Sequence, residues 1–300
     1  MQRKDRIDAA GVAMLVGFAL LFGLNQVLIK QVNEGLQPVL FAGLRSMGAV
    51  VCVWLWMLAN GRPLRFEAGT IGAGLLAGIA FSSEFVFLFL ALDLTTVVRS
   101  SIIFYSMPVW LAIAAHFWLP GERITAQKAA GLVLAFGGVA WAILNRGDAG
   151  QGSLAGDLCA LAAAFGWAAT AFMARGSALV RVKPEMQLFW MVLVSGIVLL
   201  AVSPLFGPLV RDLRWVHLAS LAFQITVIVS AGFILWLWLL TIYPAASVAS
   251  FSFLTPIFGV LLGWLLLGEP VSFGTLVAAG LVTLGILLIN SAPKPVPKPA

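Results

Sequence analysis

Apolar residues run in long blocks along this chain, and polar residues fall almost wholly between the blocks. Ten blocks stand near residues 9–32, 35–59, 70–92, 95–118, 126–145, 154–176, 185–206, 215–241, 244–267 and 272–291. A helix needs about 20 apolar residues to cross a hydrocarbon core about 30 Å thick, and each block is of that order. The pattern predicts an all-α polytopic membrane protein of ten transmembrane helices, with short connections and no soluble domain.

The blocks share their punctuation. Tyr105-Ser106-Met107-Pro108 leads on to Pro120-Gly121-Glu122-Arg123-Ile124-Thr125, and Phe253-Leu254-Thr255-Pro256 leads on to Gly268-Glu269-Pro270-Val271-Ser272. In each copy a proline breaks an apolar run, and glycine suits the left-handed stop after a helix. A hydroxyl residue three places after the glutamate suits the N-cap of the next helix. The glutamate itself is favourably placed beside the positive end of that incoming helix. Further pairs align at nearly the same offset: Gly11 with Gly156, Phe22 with Trp167, Lys30 with Arg175, Pro38 with Pro184, Pro108 with Pro256 and Glu122 with Glu269. The chain therefore reads as a duplication, with one five-helix unit over 1–146 and a second over 154–291. The polar, glycine-rich segment 146–153 joins them, and a proline-rich tail over 292–300 is expected to be disordered. Five is an odd number, so the second unit enters the membrane from the opposite side as an inverted repeat. That plan is common in secondary transporters, whose sites lie near the midplane between the halves. Gly74 with Gly78, and Gly259 with Gly263, mark expected close helix contacts.

Composition agrees. Hydrophobic residues make up 61% of the 300 and charged residues 10%, with mean hydropathy +1.03. Soluble domains carry roughly 25% charged residues. The pI near 9.8 and net charge of +6 are a matter of topology and do not point to nucleic acid. With the N-terminus inside, one face collects Arg3, Lys4, Arg6, Arg62, Arg65, Arg123, Lys128, Arg175, Arg181, Lys183, Lys294 and Lys298, against Lys30, Arg146, Arg211 and Arg214 on the other. This positive-inside bias places both termini in the cytoplasm. The first block is too long for a signal h-region and is kept as a helix. Cys52 and Cys159 lie in different blocks without metal-ligand spacing, and both read as small packing residues. No cofactor motif is present.

Ten helices in two such repeats, each closing on Pro-Gly-Glu or Leu-Gly-Glu, resemble the EamA-type drug/metabolite transporter superfamily over essentially the whole chain. The run from Pro256 to Gly268-Glu269, followed by Gly285, matches best. The first repeat departs by Pro120 before Gly121 and by Phe22 where the family often has tryptophan. The chain is also similar to the aromatic amino-acid exporter branch. The resemblance implies export of amino acids or aromatic metabolites across the bacterial inner membrane, with a small-molecule substrate and the lipid bilayer as the partners.

Glu84 stands near the centre of the third block, among Phe81, Ser82, Ser83, Phe85 and Phe87. An ionised carboxylate at that depth costs at least ~2.5 kcal/mol, so it must face a cavity or a partner. Three roles stay open for it: a proton-coupling site, a counter-charge for a substrate ammonium group, or a structural partner for an arginine. Arg45 is placed to pair with it or to meet a substrate carboxylate. Arg99, one turn into its helix, is expected to snorkel to the interface, and Lys30 and Arg175 read as topology anchors. Pro108 and Pro256 are hinge candidates, each freeing the carbonyl four residues back, of Phe104 and Ser252. Tyr105, one turn before Pro108, is expected to face the cavity. Trp167, Trp236 and Trp238 are candidates for an aromatic-lined pocket with Phe81, Phe85 and Phe104. Asn25 and Gln224 need internal partners, and His116 and His217 are expected near the interfaces. Asn25, Phe81, Glu84, Phe85, Tyr105, Trp167 and Trp236 thus form the candidate substrate site.

Rival classes lack their signatures. Neither the zinc-protease His-Glu-x-x-His nor the nucleophile Gly-x-Ser-x-Gly occurs, and there is no phosphate loop for a nucleotide-driven pump. A channel favours a ring of like groups, and a single Glu84 does not supply one. Other organic solutes, such as drugs, organic cations or nucleosides, remain the alternative cargo.

Overall fold

The computed structural model describes residues 7–119, 122–145, 152–243, 248 and 251–291. The tail expected over 292–300, both residues Pro120 and Gly121, and most of the 146–153 connection lie outside the described residues. Twelve α-helices carry the rest: α1 (Ala9–Asn33), α2 (Pro38–Ala59), α3 (Ile71–Leu94), α4 (Val97–Phe104), α5 (Met107–Trp118), α6 (Ala126–Leu144), α7 (Leu154–Gly176), α8 (Pro184–Val202), α9 (Trp215–Phe223), α10 (Gly232–Ile242), α11 (Leu254–Leu267) and α12 (Phe273–Ser291). Among the described residues nine helical spans are long and apolar enough to cross a membrane, and Leu254–Leu267 is a shorter apolar helix. No strand forms there beyond a single bridge between Leu36 and Val210. The chain is a multi-pass helical membrane protein.

Two blocks expected as single helices are divided. The fourth block stops at Phe104 and restarts at Met107, so α4 and α5 are separate helices with Tyr105 and Ser106 between them. Pro108 then lies in the first turn of α5, where its missing N–H would have had no partner in any case. Pro256 lies likewise in the first turn of α11. The hinge candidates therefore start helices, where the sequence had implied mid-helix kinks. The eighth block continues from α9 through a π-helical stretch, Gln224–Ala231, into α10. The closing turns are built as the sequence implies. Gly268 adopts φ +63°, Thr125 accepts from the Lys128 amide at 3.3 Å, and Ser272 accepts from the Thr275 amide at 3.2 Å.

Close packing rests on glycine. A Cβ at Gly166 of α7 would come 2.8 Å from the backbone of Glu84 in α3, and one at Gly23 of α1 would come 3.0 Å from the Gly259 amide of α11. Gly131 and Gly285 bring α6 and α12 together in the same way, while Gly74 and Gly78 receive Trp190 and Val194 of α8. Without a hydrophobic drive between helices in lipid, such backbone approach is what dispersion and polar contacts require. The largest buried cluster joins residues of α1, α2, α3 and α4 with Ala163 of α7 and Leu199 of α8, and Trp167 packs against it.

Candidate functional site

At the centre of that core lie four polar side chains that hydrocarbon would not tolerate alone. Glu84 is 4% exposed and Arg45 2% exposed. They are near enough to attract each other, yet form no ion pair within 4.0 Å among the described residues. Of the two roles open to Arg45, direct pairing with Glu84 is thus not made. The Arg45 guanidinium instead lies over the Phe85 and Phe89 rings, at 4.3 and 4.8 Å from their centroids, and donates a long bond to Asn25 Oδ1 at 3.4 Å. Aromatic faces attract a cation, and these two rings are the guanidinium's nearest ring contacts. Glu84 Oε2 and Arg45 Nε are left buried without a hydrogen-bond partner. On α1, Gln26 Oε1 accepts from Ser101 at 3.0 Å, while its Nε2 is also unpartnered.

An aromatic group adjoins them. Trp167 stacks on Phe104 with centroids 4.9 Å apart and meets Tyr105 edge-on at 5.8 Å. The Tyr105 hydroxyl donates to the Phe22 carbonyl at 3.4 Å. Phe81 packs on Phe85 at 4.4 Å, and Phe85 on Phe89 at 5.7 Å. The end of α4 at Phe104 places two of these rings, because the chain breaks there before Pro108. Of the sequence candidates, Asn25, Phe81, Glu84, Phe85, Tyr105 and Trp167 share this neighbourhood. Trp236 does not. It stacks on Phe18 at 5.1 Å and belongs to a separate cluster with Leu15 and Tyr243.

Other expectations change in three dimensions. Arg99 does not snorkel. It donates from Nε and Nη2 to the two oxygens of Asp157, at 3.0 and 2.7 Å, and from Nη2 to the Ala142 carbonyl as well. Asp157 is fully buried and also accepts from the Thr95 hydroxyl at 3.0 Å. The signal for Asp157 was available: a carboxylate one turn into a block, at a depth that Arg99 can reach. His217 is 1% exposed, and its Nδ1 accepts from the Arg214 amide at 3.1 Å, so it closes a turn inside the protein. Gln224 is buried with both amide atoms unpartnered. The glutamates of the two turns find different partners. Glu269 caps α4 in place of the helix that follows it, through bonds from Val97 and Val98. Glu122 pairs with Arg175 and Lys128.

The geometry thus offers a buried carboxylate oxygen, Glu84 Oε2, and a buried guanidinium nitrogen, Arg45 Nε, without partners beside a stack of rings. Among the described residues here no nucleophile is paired with a base. Comparison with known proteins agrees on the class. The chain is 28% identical to the transporter YvbV of Bacillus subtilis (strain 168), over 94% of this chain and 92% of that protein. It is 27% identical to a protein of Escherichia coli (strain K12) named "Probable amino-acid metabolite efflux pump", over 96% and 93% of the two chains. A protein crystal structure 23% identical in sequence shares the fold, with a TM-score of 0.66 over 92% of this chain and 95% of that one. With residues 9–144 and 154–291 matched, the chain belongs to the EamA-like transporter family.

Proposed function

We propose that this transporter exports small metabolites, foremost aromatic or neutral amino acids, across the bacterial inner membrane by alternating access. Ten spans, in two inverted five-helix units of 1–146 and 154–291, form the framework, with both termini in the cytoplasm. One observation carries the substrate reading: Glu84 Oε2 and Arg45 Nε are unpartnered, buried and adjacent to the Trp167–Phe104–Tyr105 group. A zwitterion brings a carboxylate for the guanidinium and an ammonium group for the carboxylate. Its side chain then lies against the rings, and no buried charge is left unmatched. The name of the Escherichia coli relative favours the same class. Asn25 orients Arg45, and Pro108 and Pro256 start the helices that move. Counterflow by purified protein in liposomes, across amino acids, nucleosides, sugars and organic cations, tests this directly. Saturable exchange of aromatic amino acids supports the reading, and exchange confined to organic cations overturns it.

A second reading gives Glu84, buried with Oε2 unpartnered, a coupling proton in place of the substrate ammonium group. It needs a proton affinity that differs between the two access states, since only differential affinity shifts that equilibrium. Glu84→Gln should then abolish pH-driven flux and retain counterflow on the same folded preparation. Loss of both activities together identifies Glu84 as the ammonium counter-charge and removes the coupling role.

A further inference from the structure

Lys30 and Glu269 converge on one place, the junction between α3 and α4. The chain leaves α3 at Leu94 and enters α4 at Val97. Lys30 Nζ donates to the Leu92 and Thr95 carbonyls at 3.1 and 2.6 Å. Glu269 Oε1 and Oε2 accept from the Val97 and Val98 amides, each at 2.8 Å. A cation from the first half of the chain therefore sits on the negative end of α3. An anion from the second half sits on the positive end of α4. Both placements are the favourable ones for helix ends, and hydrogen bonds to ionised groups are the stronger kind. Glu269 is 3% exposed, and the site is shaped for it: a Cβ at Gly263 would come 2.9 Å from its Oε2.

α4 is only eight residues long. Its far end supplies Phe104 and leads into Tyr105, the rings against Trp167, and Ser101 in its middle touches both Gln26 of α1 and Gly259 of α11. Whatever frees the start of α4 frees that wall. Two amides released in hydrocarbon would be costly, so they can separate from Glu269 only as water arrives to replace it. Release of the carboxylate and admission of water are then one event.

We propose that Lys30 and Glu269 are the positioning residues of a latch that seals this end of the transporter, and that its release opens the path to the central site. The assignment rests on the transport reading above, but its test does not require a substrate. The full chain, with Cys52 and Cys159 replaced by serine and Ser101→Cys as reporter, is placed in liposomes. A membrane-impermeant thiol reagent is added from each side, and a control cysteine at exposed Trp215 identifies the Glu269 side. Glu269→Gln should speed labelling from that side by about tenfold, the size expected for losing charge-assisted bonds, and leave labelling from the other side unchanged or slower. Glu122→Gln should not speed labelling from the Glu269 side. Where Glu269→Gln fails to fold, Lys30→Met serves, with a smaller rise on the same side. Unchanged labelling, or an equal rise from both sides, overturns the latch. Absence of counterflow in the wild type overturns the transport reading and leaves the labelling result standing.

Discussion

Glu269 and Glu122 occupy matching positions in the two turns, yet the structure treats them differently. Glu269 is buried and bonded to backbone amides of α4, across the chain's midpoint. Glu122 is 31% exposed in its side chain and bonded to cations, at 2.5 Å from Arg175 and 3.5 Å from Lys128. The surroundings follow suit. At the Glu269 end the Arg99–Asp157 pair is buried and Lys30 is tied to α3, while the Arg211–Asp93 pair is exposed. At the Glu122 end the Arg175 side chain is half exposed. The same sequence punctuation thus closes one end with desolvated charge on helix ends and the other with screened ion pairs. A motif specifies a turn, and its neighbours decide what the turn's charge does.

The largest test of this contrast removes one arginine from each end. Arg99→Ala removes the cation that binds both oxygens of buried Asp157, and should cost ~3–5 kcal/mol. Arg175→Ala at the half-exposed pair should cost ~0–1 kcal/mol. Chemical unfolding of both variants in one detergent measures the two, and equal losses would erase the contrast. Next, Glu269→Ala leaves the Val97 and Val98 amides of α4 without their acceptor and should cost ~1–2 kcal/mol, more than Glu122→Ala, whose partners remain solvated.

The pH response should differ in sign. Burial pushes the Glu269 carboxyl above its ordinary value, and the Val98 and Val97 amides and Lys30 only partly offset it. Partial burial also acts against ionisation of Glu122, but the bond and charge of Arg175, with Lys128, outweigh it and hold that carboxyl below the ordinary value. A raised carboxyl binds its proton more tightly when folded, so stability relative to Glu269→Gln should rise as pH falls through the folded pKa toward 4.5. A lowered carboxyl stabilises above the unfolded value. Stability relative to Glu122→Gln should therefore be lost as pH falls through that lowered folded pKa. Melting curves of wild type and both variants across pH read the two slopes, and slopes of the same sign would contradict the assignment.

The smallest effect concerns the prolines. Because Pro108 and Pro256 each sit in the first turn of a helix, Pro→Ala should cost only ~0.4–1 kcal/mol, mostly through a freer unfolded chain. Transport should slow more than substrate binding weakens, as measured by flux beside equilibrium binding. Wild-type flux in both variants would remove the hinge role.

The helical membrane class was legible from block length alone, because hydrocarbon leaves the backbone few alternatives. Glu84, Trp167 and Tyr105 were legible as site candidates, since a carboxylate or hydroxyl in an apolar block must find company. Trp236 packs apart from them, on Phe18: an aromatic ring is at home against any apolar neighbour, and nothing in its type distinguishes a pocket from a packed stack. Arg99 was misread because the snorkel rule considers one helix at a time. Its partner Asp157 comes from a helix 58 residues further on.

By itself, then, the sequence determined the apolar spans, the glycine and hydroxyl turns that link them, and the duplicated punctuation, all of which follow from local backbone and solvation rules. Only the tertiary structure decided that Arg45 lies over Phe85 and Phe89 and leaves Glu84 unpaired. It also decided that Glu269 serves α4 in place of the helix that follows it. The reason is physical. A charge removed from water is satisfied by whichever opposite charge, ring or helix end the packing brings within reach, and sequence distance does not limit that choice.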